Sequence, residues 1–140
     1  MLAQDASKDG RRIWLVLRSS RFGEGELLAI DTATCDRSWS RPVRHDQIIL
    51  RLEGDRLLIC EYESISCDTE LRCVEAAGGK LVWEAAVDGI NVPHSKYHQR
   101  ARLEIRAGEL LLIDQQSGGD FVESFHLETG ASGMKWRSSP

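Results

Sequence analysis

The sequence predicts an all-β chain of three tandem, four-stranded antiparallel units, on three observations. Apolar residues alternate with polar ones in stretches such as Ile48, Leu50, Leu52 and Leu103, Ile105, Ala107, where Arg51, Arg102, Glu104 and Arg106 stand between or beside them. A period of two marks a half-buried strand. Other runs, Ile13–Leu17, Leu57–Cys60 and Leu110–Ile113, are continuously apolar, as a strand covered on both faces must be. Landmarks also recur: Trp39, Trp83 and Trp136 stand 44 and 53 residues apart, and the turns at Gly10, Gly54 and Gly108 stand 44 and 54 apart.

The second unit is the most regular, with strands predicted over Gln47–Glu53, Arg56–Glu63, Glu70–Glu75 and Lys80–Ala86. Gly54-Asp55 and Gly108-Glu109 close tight hairpins between a half-buried and a fully buried strand. The third unit reads as Arg100–Arg106, Glu109–Asp114, Phe121–Leu127 and Met134–Arg137. The first has Arg11–Arg18, Glu26–Asp31 and Arg37–Ser40; its remaining strand would come from Met1–Ser7, which is polar. The units span approximately 1–42, 43–86 and 97–140, and the connection Val87–Gln99 is long. Units of about 40–50 residues with several short strands each are the signature of propeller blades.

Ahead of each tryptophan lies a matching segment. Ala29-Ile30-Asp31-Thr32-Ala33-Thr34-Cys35-Asp36-Arg37-Ser38-Trp39 and Cys73-Val74-Glu75-Ala76-Ala77-Gly78-Gly79-Lys80-Leu81-Val82-Trp83 share an aliphatic residue, a carboxylate and small turn residues. A third copy keeps Glu128 and Trp136 with shifted glycines. These segments resemble the repeats of quinoprotein-type (PQQ-like) β-propellers, whose blades end in a pattern close to Ala-x-Asp-x-x-Thr-Gly-Lys-x-x-Trp. The resemblance implies that Trp39, Trp83 and Trp136 dock neighbouring blades. It implies little about function, and the quinone is not carried over to three units, so no cofactor is expected.

Composition narrows the partners. A hydrophobic share of 41% and a charged share of 29% suit a folded domain, and a net charge of −4 argues against general nucleic-acid binding. Arg100, Arg102 and Arg106 share one strand parity and read as a solvated face. The longest apolar run is too short for a membrane span or secretory leader, so a cytoplasmic protein is expected, with Cys35, Cys60, Cys67 and Cys73 as thiols. Cys60 and Cys73 are expected to face each other across a hairpin.

Candidate chemistry is sparse. In the long connection, His94 and His98 are weak metal candidates, and His94, Lys96, Tyr97 and His98 form a possible interaction loop. His45 and His126 are further imidazoles with no spacing that ties them together, and Asp114 and Asp120 read as solvated turn residues. No catalytic residue is assigned. The expected function is a non-catalytic interaction or scaffold module. The alternatives are a ligand-binding protein or metal-dependent enzyme with a site near His94 and His98, and a remnant of a larger propeller. The expected partner is a second copy or another protein: an open arc leaves one face of the first and last units uncovered, and two copies would close a six-bladed ring.

Overall fold

A computed structural model of the chain describes residues 3–18, 25–45, 47–62, 69–87, 100–116 and 119–137. These form three four-stranded antiparallel sheets, each a simple meander. The first holds β1 (Ala3–Ala6), β2 (Arg12–Arg18), β3 (Gly25–Asp31) and β4 (Arg37–Val43). The second holds β5 (Gln47–Glu53), β6 (Arg56–Tyr62), β7 (Thr69–Glu75) and β8 (Leu81–Ala86). The third holds β9 (Arg100–Arg106), β10 (Glu109–Gln116), β11 (Gly119–His126) and β12 (Ser132–Arg137).

The sheets stack face to face, with β1 beside β5 and β5 beside β9. One core lies between the first two sheets, where Trp14, Val16, Leu27 and Ala29 meet Leu57, Ile59 and Val74. The other lies between the second and third, where Leu58, Cys60, Leu71, Cys73 and Trp83 meet Leu103, Leu110, Leu112, Phe121 and Phe125. Strand β6 therefore sends alternate side chains into two different cores, which is why its sequence is apolar without a break. Each sheet has a leading face, toward the sheet that follows, and a trailing face.

Two local expectations need correction. The polar segment Met1–Ser7 does supply a first strand: β1 pairs with β2 from Ala3↔Val16 to Ala6↔Ile13. Backbone pairing makes this strand, and as the innermost edge it needs no continuous apolar face. Cys60 and Cys73 do not face each other; Cys60 stands opposite Leu71 and Cys73 opposite Leu58, and both are free and buried. Burial, aided by the charges of Glu61 and Asp114, pushes the Cys60 thiol up to about 12, so it stays protonated.

Candidate interaction surface

Each internal seam is fastened at its outer and its inner edge by side chains reaching forward from one sheet to the next, and Trp14 and Arg56 add a bond to the Ala76 and Glu128 carbonyls. At the outer edge, Trp39 Nε1 donates to the Ala76 carbonyl at 3.0 Å and Trp83 Nε1 donates to the Leu127 carbonyl at 2.9 Å. Each indole lies against a glycine of the receiving turn. A Cβ on Gly79 would stand 2.6 Å from the Trp39 ring, and one on Gly130 2.5 Å from the Trp83 ring. Both glycines have φ of +74°, so the site demands glycine by conformation and by space. At the inner edge, Asp5 Oδ2 accepts from the Leu52 amide at 2.7 Å, and Arg51 Nη1 donates to the Leu103 carbonyl at 3.2 Å. Asp5 lies opposite Trp14 and Arg51 opposite Leu58, which are equivalent positions in β2 and β6.

The third sheet carries the corresponding positions with no further sheet in front of them among the described residues. Glu104, opposite Leu111, matches Asp5 and Arg51. At the outer edge the match is Met134. Trp39 and Trp83 follow their turn residues Cys35 and Gly79 by four positions, and Met134 follows Gly130 by four. Cys35, Gly79 and Gly130 are equivalent: each amide bonds back to the carbonyl four residues earlier, and each has positive φ. Trp136 therefore does not repeat the docking of Trp39 and Trp83. It lies two residues further along β12, opposite Val122, and is 52% exposed. The spacing of 53 residues from Trp83 reflects an indole at a different register position.

The leading face of the third sheet carries an apolar patch beside a charged inner edge. Leu111, Ile113 and Val122 are half-buried there, beside Met134 at 55% and Trp136 at 52% exposure. Arg102 and Arg106 flank Glu104 on the same face and pair with it at 3.1 and 3.2 Å. The trailing face of the first sheet presents Ile13, Leu15 and Ile30, half-buried, and Leu17 at 42% exposure. It also carries the turn of Cys35, whose Cβ stands where the Trp39 and Trp83 rings lie at Gly79 and Gly130.

An open cleft of about 430 Å³ lies where the first sheet passes to the second, lined by Trp39, Arg41, Arg44, Glu61, Glu70 and Arg72 among others. His45, Glu61 and Glu70 bring three ligating atoms within 4.8 Å of one another beside it. Arg72 already engages that set: it donates to Glu61 Oε2 at 3.0 Å and to Glu70 Oε2 at 2.9 Å, so its guanidinium takes one oxygen of each carboxylate and offsets one of their two charges. Glu61 Oε1 accepts from the Arg44 amide at 3.0 Å. The buried Glu61 thus ties the crossover from β4 to β5 onto the second sheet.

His45 and His126 are not brought together. His45 sits by the paired residues Glu61 and Glu70, at one end of the sheets, and His126 pairs with Glu109 at the other end. Asp114 and Asp120 do not share a solvated turn, since Asp114 is fully buried opposite Phe121 while Asp120 is exposed. His94, Lys96, Tyr97 and His98 lie outside the described residues.

No protein-family model matches the chain, and no curated protein matches it. Solved structures do. A europium-containing methanol dehydrogenase superimposes with a TM-score of 0.64 at 10% identity, over 94% of this chain and 24% of its own. BamB from Moraxella catarrhalis gives 0.64 at 16% identity, over 98% of this chain and 37% of its own. The WD40 domain of Toxoplasma gondii coronin gives 0.59 at 16% identity, over 98% and 35%. These neighbours are β-propellers. The chain folds as three propeller blades. It spans between about a quarter and two-fifths of the length of those neighbours, and at such identities the likeness is one of fold.

Proposed function

We propose that the chain is a non-catalytic interaction module that binds another polypeptide by blade-to-blade docking at its end faces. The observation that carries this reading is the leading face of the third blade, where Met134 and Trp136 are 55% and 52% exposed. The equivalent faces of the first two blades are buried against a neighbour at Trp14, Val16, Leu58 and Cys60. An apolar surface built to the pattern of two buried seams is suited to a third docking event. The module works in a reducing compartment, the cytoplasm, to which its unpaired thiols Cys35, Cys60 and Cys73 are suited.

Oxidative footprinting tests the reading. Met134 and Trp136 should be protected when the chain is labelled inside the cell and reactive when the pure chain is diluted to nanomolar concentration. Equal reactivity in the two settings would refute docking at this face.

A further inference from the structure

We infer that the polypeptide docked at both end faces is a second copy of this chain, and that two copies close head to tail into a six-bladed ring. The inference rests on the interaction-module reading and names its partner.

At both internal seams the contact is an indole on a glycine, Trp39 on Gly79 and Trp83 on Gly130, with no room for a Cβ. The two positions left over are Met134, which reaches forward, and Cys35, which receives. Both depart from the pattern together. Cys35 carries the Cβ that the Trp39 and Trp83 rings exclude at Gly79 and Gly130, so an indole cannot seat on the first blade in the same way. The third blade, correspondingly, offers an unbranched thioether that adapts to an irregular surface. A foreign blade with the usual glycine would leave a gap under Met134, and a foreign tryptophan would collide with Cys35. The two exceptions are complementary when they face each other.

Within one chain that meeting needs a ring of three blades, below the roughly four to eight that propellers use. Three copies would give nine, above that range, and two copies give six. A two-fold axis along the central channel then places each third blade on the first blade of the partner, making two identical seams that continue the packing of the internal ones. Apolar patches meet from both sides: Leu111, Ile113, Val122 and Trp136 against Ile13, Leu15, Leu17 and Ile30.

The test is a swap cycle read by light scattering and sedimentation. At micromolar concentration the wild-type chain should have twice the mass of 15.7 kDa. Met134→Trp places an indole against the Cys35 side chain and should weaken self-association by about tenfold or more. Adding Cys35→Gly recreates the internal tryptophan–glycine fastening and should restore the dimer to within a few-fold of wild type. Both positions are exposed in the single chain, and unchanged circular dichroism of the diluted variants will confirm that folding is intact. As a second measurement, Met134→Cys should form an interchain disulfide with Cys35 under mild oxidant. A wild-type mass of 15.7 kDa at about 100 μM, a ladder of larger open oligomers, or association indifferent to the swaps would overturn the inference. If the chain is monomeric yet Met134 and Trp136 are protected in cells, the partner is a different polypeptide and the module reading stands. If neither holds, both readings fall.

Discussion

Two tryptophans show how one residue type takes two roles according to register. Trp83 is 7% exposed, donates to Leu127 and packs against Gly130, whereas Trp136 is 52% exposed on an end face. Trp83→Ala removes a large buried side chain and should cost about 3–5 kcal/mol in urea denaturation. Trp136→Ala, measured on the diluted chain, should cost less than about 1 kcal/mol. Comparable losses at both would show that the end face is already covered within one chain. Cysteines divide in the same way. Cys60 is buried with its thiol pushed up to about 12, while Cys35 is exposed. Alkylation at pH 8 followed by peptide mapping should label Cys35 in the native chain and Cys60 only at the rate of unfolding. Because the folded-state value is raised from 9.0, the stabilising effect of the protonated thiol is complete below pH 9 and is lost between about 9 and 12. A Cys60→Ala variant should lack that part of the alkaline decline.

Turns decide more of each blade than strands do. Gly79 and Gly130 hold φ of +74° directly under an indole, so Gly79→Ala combines left-handed strain with a collision against Trp39. A loss of about 2–4 kcal/mol is expected, with Gly130→Ala similar, in chemical denaturation. The hairpin between β9 and β10 is the opposite case. Ala107 and Gly108 have φ of 51° and 79°, the positive pair of a type I′ turn, and nothing crowds the turn at Gly108. Ala107→Asn keeps the turn with a residue that tolerates it and should raise stability by about 0.5–1 kcal/mol; a loss would mean that the turn adopts another geometry. These turns also explain why the blades align well while their third tryptophan does not. Counted from the turn residue, Trp39, Trp83 and Met134 fall in register; counted by residue type, Trp136 takes the place of Met134.

At the scale of the whole molecule, stability and assembly are one question. A dimer that forms only from folded chains shifts unfolding by mass action. The wild-type melting temperature should therefore climb as protein concentration is raised from the nanomolar to the micromolar range. Met134→Trp should need about tenfold or more protein to reach the same rise, and Met134→Trp with Cys35→Gly should regain the wild-type dependence. A concentration-independent wild type would leave the end faces unpaired in solution. The internal seams set the expectation: the middle blade is buried on both faces, and its strand β6 has Leu57, Leu58 and Cys60 all at 0% exposure.

Much of this architecture was legible in the residues. Continuous apolar runs such as Leu57–Cys60 announced strands covered on both faces, and the alternation of Ile48, Leu50 and Leu52 announced strands covered on one, because side-chain direction follows from backbone period alone. Docking by Trp39 and Trp83 was implied by the resemblance of their segments to propeller repeats, which implied it for Trp136 as well. What the residues did not show was register. Whether Met134 or Trp136 matches Trp83, whether Cys60 faces Cys73, and whether Asp5 on a polar strand reaches Leu52 each depend on how two distant backbones align, and one residue of slip exchanges the faces of a strand. The network of His45, Glu61, Glu70 and Arg72 was hidden for the same reason: residues scattered over β7 and the crossover meet only when β6 pairs with β7. Composition and period thus determined the kind of sheet. The tertiary structure alone decided which pairs close its seams, because only packing brings Cys35 and Met134 to matching places on opposite faces of the arc.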